Sequence, residues 1–93
     1  MTSTTPQPDV LMYTKPDEMC FGCRKTKEQF TKAGIPFTAI DVTLAENAHH
    51  KAQLVADGNL MMPFVQAYGE EWLGLNPKMI AATIKTHQER QAA

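Results

Sequence analysis

The chain has 93 residues, 43% hydrophobic and 20% charged, which supports one small domain with a single core. Nine basic and ten acidic residues give a net charge of −1, which excludes the strongly basic surface typical of nucleic-acid and anionic-membrane binding. No apolar run approaches the roughly 20 residues of a membrane span, and the N-terminal MTSTTPQPD has no signal-peptide features. We therefore expect a cytoplasmic monomer without nucleic-acid or membrane contacts.

The first half of the chain predicts a strand, a helix and a second strand. Residues 1–8 are expected to form a disordered tail, followed by a short apolar strand at 10–13. A helix over residues 21–33 is ended by Gly34 and Pro36, and alternating β-branched and aromatic residues predict a strand at 37–42.

A second helix is predicted after residue 43. Thr43 and Glu46 have the spacing of a capping box, and Asp57-Gly58 marks the end of the helix. An apolar stripe predicts the face that packs on the sheet, and it comprises Ala45, Ala48, Ala52 and Val55.

The last part of the chain predicts a hairpin and a helix. Strands at 64–68 and 71–73 are joined by a turn at Gly69-Glu70. Asn76 and Pro77 are typical of the N-cap and first position of a helix. That helix presents an amphipathic face composed of Met79, Ile80, Thr83, Ile84 and His87.

The resulting order, β-α-β-α-β-β-α, predicts an α/β domain over residues 9–90 with a C-terminal tail at 91–93. A strand–helix–strand unit makes a right-handed parallel pair, and the hairpin adds antiparallel pairing. Such a four-stranded mixed sheet needs helices on both faces, which gives a three-layer sandwich.

The only cysteines, Cys20 and Cys23, lie at the start of the first predicted helix. The unsatisfied N–H groups and positive dipole end of that first turn stabilise a thiolate and lower its pKa. Because Cys23 follows about one turn later, its sulfur can approach that of Cys20. The pattern predicts a redox dithiol in which outer Cys20 attacks and inner Cys23 resolves the mixed disulfide.

Charged residues flank the cysteines on both sides. The basic ones are expected to stabilise the Cys20 thiolate, the alternative being a solvated basic face; they are Lys15, Arg24, Lys25 and Lys27. Asp17 and Glu18 act in the opposite sense and should raise the pKa of the Cys20 thiol.

Two other interpretations of the cysteine pair stay open. The cysteines could be small buried core residues, or they could hold a metal or an iron–sulfur cluster shared at a dimer interface. A closed mononuclear site needs further ligands, but His49 and His50 should point to different faces of their helix. His87 is assigned to the last carbonyls of the final helix. We therefore predict no metal ligands.

Pro63 immediately precedes an apolar strand, where proline is unfavourable. The Met62–Pro63 bond is a candidate for the cis form. In that form the backbone N–H and C=O of Met62 face outward and could pair with an extended substrate.

Five segments together resemble the NrdH-type redoxins, glutaredoxin-like members of the thioredoxin-fold superfamily: YTKP, CFGCRKTKEQF, AGIPFTAIDVT, MPFV and EWLGLNPKMI. The resemblance extends from residue 10 to about residue 89 and implies the thioredoxin fold. It implies Cys20 as nucleophile, Cys23 as resolving thiol and Pro63 as the cis-proline. Trp72, Gly74 and Pro77 would belong to the signature turn that enters the last helix.

The resemblance also implies a function. Such proteins take electrons from NADPH through thioredoxin reductase and pass them by dithiol exchange to class Ib ribonucleotide reductase. The redox-active disulfide Cys20–Cys23 is then the only redox group, no cofactor is bound, and NADPH acts indirectly. Residues expected at the docking surface are Phe21, Gly22, Met62, Pro63, Trp72 and Gly74.

The alternative enzyme class is a glutathione-dependent glutaredoxin. Its Thr-Val-Pro segment is replaced here by Met61-Met62-Pro63, and its Gly-Gly-Asp helix start by WLGLNP, so a glutathione site is not expected. The insertion of Asp17, Glu18 and Met19 between Pro16 and Cys20 is longer than in the family and is expected to alter partner choice. Trp72 has two interpretations, a core residue or a rim of the docking surface.

Overall fold

Four strands and three α-helices follow one another in the predicted order in a computed structural model that describes residues 9–92. The predicted tail at 1–8 and Ala93 lie outside the described residues. None of the helices within 9–92 is long and apolar enough to cross a membrane. The elements are β1 (Val10–Thr14), α1 (Phe21–Lys32), β2 (Thr38–Asp41), α2 (Ala48–Ala56), β3 (Phe64–Ala67), β4 (Glu70–Leu73) and α3 (Pro77–Ala92), with 3₁₀ turns at Asp17–Met19 and Ala45–Asn47.

The strands form one mixed sheet in the order β2-β1-β3-β4. β1 and β2 are parallel, whereas β1–β3 and β3–β4 are antiparallel, which confirms the predicted topology. Tyr13 of β1 is opposite Phe64 of β3, and Phe64 is opposite Leu73 of β4. This register brings the loop after β1, the loop before β3 and the loop after β4 together at one end of the sheet.

Helices cover both faces of the sheet because side chains alternate along each strand. α2 covers one face, where Leu54 packs with Phe64 and Val42, and Tyr13 lies against them. α1 and α3 cover the other face, which holds the main core of Val10, Met12, Phe30, Ile35, Val65, Ala67, Trp72 and Ile80. The predicted three-layer arrangement is confirmed.

The predicted packing face of α2 is wrong. Leu54 is the buried residue of the helix, whereas Ala48, Ala52 and Val55 are exposed. The orientation of the helix is set by Leu54 and not by the stripe of small residues, because the leucine side chain buries more apolar area against the sheet than an alanine does.

The predicted capping box also does not form. Thr43 instead turns back, and both its N–H and its hydroxyl donate to Asp41 Oδ1, at 2.8 and 2.6 Å. These two hydrogen bonds, the hydroxyl contributing most, hold the pKa of Asp41 below its usual value. Asn47 donates to the Asp41 carbonyl oxygen at 2.8 Å, so Asp41 organises the whole β2–α2 connection.

The hairpin turn lies one residue earlier than predicted, at Tyr68 and Gly69. Both have positive φ, 48° and 84°, as the favoured hairpin turn requires. Burial is the main factor that raises the pKa of Tyr68, with a smaller contribution from Asp9.

α3 differs from the prediction in two respects. His87 does not serve the last carbonyls: it is 8% exposed, and its Nδ1 is hydrogen-bonded to the Tyr68 hydroxyl at 2.9 Å. The helix also continues to Ala92, so Gln91 and Ala92 do not form a tail. The residues after Thr86 are mostly good helix formers and include no glycine or proline stop signal.

Candidate active site

Cys20 is the N-cap of α1, and Cys23 lies in the first turn of that helix. The two sulfurs form a disulfide, with 5.2 Å between the Cα atoms. Cys20 has extended backbone angles (φ −143°, ψ 92°), and its Sγ accepts a hydrogen bond from the Cys23 N–H at 3.2 Å. In the reduced protein the same N–H and the helix dipole would favour negative charge on this sulfur.

The two cysteines differ in exposure. Cys20 is 8% exposed and Cys23 is fully buried, which agrees with the outer position predicted for Cys20. Both sulfurs are used in the disulfide, so neither is available to a metal or cluster in this oxidised form. The pair is a redox disulfide at a helix start.

The loop before β3 approaches Cys20 from across the sheet. The Met62–Pro63 peptide bond is cis, and the Met62 carbonyl oxygen lies 3.8 Å from Cys20 Sγ. The Pro63 carbonyl oxygen accepts a hydrogen bond from the Gly74 N–H at 2.8 Å. The segments carrying Cys20, Pro63 and Gly74, which the sequence assigned to one site, are therefore adjacent.

Gly22 lies at the closest approach of α1 to these loops. A Cβ atom at this position would lie 3.2 Å from Leu75 Cβ and 3.3 Å from Pro63 Cδ, tighter than ordinary van der Waals contact. The start of the helix can therefore pack against the Pro63 loop because Gly22, the second of the two residues between the cysteines, has no side chain. Its neighbour Phe21 points outward and is 60% exposed.

A cleft of about 460 Å³ lies beside Cys20, and we call it the dithiol cleft. Its lining consists of Lys15, Met19, residues 20–22 and residues 60–62. Met19, Leu60 and Met61 are 69%, 67% and 59% exposed, although all three are large and apolar. Sequence reasoning linked Met19 to partner choice and noted Met61 beside Pro63, but it did not assign Leu60 to the site; the available signal was a large apolar side chain in a predicted loop.

The basic flank is arranged differently from the prediction. Arg24 and Lys25 both pair with Glu28, at 3.1 and 3.6 Å, and both lie over the Phe21 ring. The partner of both cations is a carboxylate on their own helix, and their predicted effect on the Cys20 thiolate stays a prediction. Lys15 does line the dithiol cleft.

The histidines form no metal centre with the cysteines. Within residues 9–92, no group of three or more His, Cys, Asp or Glu side chains has a metal-binding arrangement. The rings of His49 and His50 are 4.0 Å apart, so the expectation that they point to different faces is wrong. The His50 ring lies 5.6 Å from that of Tyr13, which holds it against the sheet.

Trp72 belongs to the core and does not rim the cleft. Its side chain is 7% exposed and packs in the main core, because position 72 of β4 faces α1 and α3. The predicted docking role is therefore corrected. The buried indole N–H has no hydrogen-bond partner among the described residues.

This placement predicts that Trp72→Phe retains the disulfide-exchange rate of the unmodified protein. We expect a loss of about 1 kcal/mol in unfolding free energy, because the cavity left by the smaller ring is partly offset by removal of the unpaired donor. Urea unfolding and insulin reduction measure the two effects. A several-fold loss of exchange rate at unchanged stability would show that Trp72 does take part in docking the target.

Comparison with known proteins agrees with this geometry. The sequence model of the glutaredoxin family matches residues 10–63, which include both cysteines and Pro63. This chain belongs to the glutaredoxin family. Family membership and the Cys20–Cys23 pair make this glutaredoxin-like protein a thiol-disulfide oxidoreductase. No curated protein matches the chain.

Solved structures extend the match over most of the chain. The glutaredoxin-like NrdH-redoxin from Escherichia coli, described as having a thioredoxin-like activity profile, is 30% identical; the match covers 78% of this chain and 91% of that chain, with a TM-score of 0.64. A glutaredoxin from Archaeoglobus fulgidus is 23% identical, with coverages of 85% and 88% and a TM-score of 0.68. A wheat glutaredoxin is 22% identical, with coverages of 84% and 80% and a TM-score of 0.65. The thioredoxin-like fold expected from the sequence is confirmed.

Proposed function

We infer that this glutaredoxin-like protein is an electron donor that reduces protein disulfides and is itself reduced by thioredoxin reductase with NADPH. Its target in this proposal is class Ib ribonucleotide reductase. The observation that carries the preference for a protein partner over glutathione is the capped N-terminus of α3. It is supported by the apolar lining of the dithiol cleft.

The start of α3 has the position at which an anion could bind to free N–H groups. Here the Asn76 side chain fills this role, because its Oδ1 accepts a hydrogen bond from the Met79 N–H at 3.1 Å. Pro77 at the first helical position has no N–H to offer. These two residues leave a glutathione carboxylate with fewer donors than an uncapped helix would provide.

The proposed reaction has two exchange steps. The Cys20 thiolate attacks one sulfur of the target disulfide, forming a mixed disulfide and releasing the other target sulfur as a thiolate. The Cys23 thiolate then attacks Cys20 Sγ, which forms the Cys20–Cys23 disulfide and releases the second target thiolate. Two electrons pass to the target, and NADPH restores them through the reductase.

The backbone near Cys20 can orient the target chain during these steps. The cis Met62–Pro63 segment lies beside the sulfur, and its carbonyl oxygen is 3.8 Å from Cys20 Sγ. An extended target segment pairing with the Met62 backbone would hold its own sulfur in line with Cys20. A donor that works in the reduced state needs a reducing compartment, so we propose that it acts in the cytoplasm as a monomer.

A coupled assay with two electron sources tests the proposal. Insulin is the disulfide substrate, and NADPH oxidation is followed with thioredoxin reductase or with glutathione and glutathione reductase. We expect turnover with thioredoxin reductase and at least tenfold less with glutathione, about 1.4 kcal/mol of discrimination. Faster turnover with glutathione would make the protein a glutathione-dependent glutaredoxin instead.

A further inference from the structure

The insertion before Cys20 forms a single turn of 3₁₀ helix at Asp17–Met19. The Pro16 carbonyl oxygen accepts a hydrogen bond from the Met19 N–H at 2.8 Å, and the Asp17 carbonyl oxygen accepts one from the Cys20 N–H at 3.3 Å. The turn therefore ends at the N-cap of α1. The insertion is therefore folded against the start of the helix.

A salt bridge joins this turn to α1. Asp17 Oδ1 lies 2.8 Å from Lys27 Nζ, and both side chains are partly exposed, at 47% and 27%. The positive charge of Lys27 compensates the negative charge of Asp17, which was expected to act on Cys20. Its main consequence is positional, because it ties the beginning of the turn to the second turn of the helix.

The position of the turn decides what lies beside the disulfide. Met19 and Phe21 line one part of the dithiol cleft, and residues 60–62 supply the rest of its apolar lining. Four of the large exposed apolar side chains of the protein line this cleft: Met19, Phe21, Leu60 and Met61. Exposed apolar side chains concentrated beside a reactive sulfur mark an interaction surface.

We propose that the Asp17–Met19 turn is a specificity element, with Met19 contacting an apolar side chain next to the target's reacting cysteine. This inference rests on the proposed function, because the mixed disulfide fixes the target cysteine at Cys20. In an extended segment the adjacent residues lie about 3.3 Å apart along the chain and so fall within the cleft. The flexible thioether of Met19 can adapt to leucine, methionine or phenylalanine at that position.

The charged residues around the dithiol cleft indicate which target segment it can bind. Lys15 is the one charged residue that lines the dithiol cleft among residues 9–92. Asp17, the nearest acid of the turn in sequence to Lys15, is paired with Lys27, and Glu18 does not line the cleft. The occupant is therefore an extended protein segment that carries both an apolar residue and a carboxylate beside its disulfide cysteine.

Two disulfide peptides of equal length and charge test the proposal, one with Leu and Glu beside the reacting cysteine and one with Ser and Glu. We expect the unmodified protein to react about tenfold faster with the Leu/Glu peptide, as an apolar contact in a pocket typically provides. Met19→Gln should remove most of this preference. The control Val55→Gln changes a 55% exposed residue of α2 and should leave it intact.

The small substrate 2-hydroxyethyl disulfide separates this inference from the proposed function. It has no flanking residues, so its rate serves as the reference for the peptides, and Met19→Gln should lower the rate on the Leu/Glu peptide relative to the rate on 2-hydroxyethyl disulfide. If the unmodified protein reduces none of the disulfides, the proposed function fails. If it reduces all of them without preferring the Leu/Glu peptide, or if Met19→Gln slows every substrate alike, the specificity role is wrong.

Asp17 and Lys27 act as positioning residues, and charge exchange tests them. Asp17→Lys should reduce the peptide preference, because two lysines repel and the turn is no longer tied to α1. The double variant with Asp17→Lys and Lys27→Asp should restore it. Failure of the exchanged pair to restore the preference, with the rate on 2-hydroxyethyl disulfide unchanged, would show that the salt bridge does not position Met19.

Discussion

Replacing Cys20 by serine should abolish disulfide exchange, whereas replacing Cys23 by serine should stop the reaction at the mixed disulfide. A serine hydroxyl is a poor nucleophile without an adjacent base, so Cys20→Ser leaves no attacking group. Cys23→Ser keeps the attacking thiolate but has no thiol to release the target. Insulin reduction and non-reducing mass spectrometry with a disulfide peptide measure the two results.

The stability of the Cys20→Ser variant is a control for its loss of activity. Cys20 is the N-cap of α1, and its sulfur accepts the Cys23 N–H, a role in which serine is among the preferred residues. The variant should therefore unfold at the same urea concentration as the reduced unmodified protein. Multiple turnovers by Cys23→Ser would contradict the resolving role, and a mixed disulfide on Cys23 in the Cys20→Ser variant would reverse the order of attack.

Gly74→Ala should lower both stability and exchange rate. Gly74 has φ +77°, and a side chain in this left-handed region costs about 1–2 kcal/mol. The new Cβ would also lie 2.7 Å from Met61 Sδ, so the Met61 side chain must move within the dithiol cleft. We expect the cost in unfolding free energy from the backbone and a several-fold loss in exchange rate from the displaced methionine.

Gly58 provides a matched control for this variant. Its φ is +79°, but a Cβ there would have no neighbour within 4 Å. Gly58→Ala should therefore lose the same stability, about 1–2 kcal/mol, without loss of exchange rate. Adding Met61→Ala to Gly74→Ala should leave the stability cost in place. Equal loss of rate in the Gly58 and Gly74 variants would rule out a specific effect through Met61.

Much of the molecule was predictable because its signals are local. The α1 boundaries, the position of Cys20 at the helix start and the β-α-β-α-β-β-α order depend on caps, breakers and periodicity within a few residues. The mistakes also have local origins. The α2 stripe and the Thr43–Glu46 spacing fit helical patterns, but Leu54 is the helix residue that packs on the sheet, and Thr43 donates to Asp41, two residues before it, instead of capping the helix.

The sequence by itself determined the chemistry: two cysteines about one turn apart at a helix N-terminus form a dithiol whose attacking sulfur is stabilised by the backbone. Only the tertiary structure decided what surrounds that sulfur. The Met62 carbonyl oxygen lies beside Cys20 although the two residues are 42 positions apart in sequence, and Asp17 of the 3₁₀ turn forms a salt bridge with Lys27 of α1. The physical reason is that chemistry at the pair depends on adjacent residues, whereas the cleft is built by sheet register, which joins loops distant in sequence.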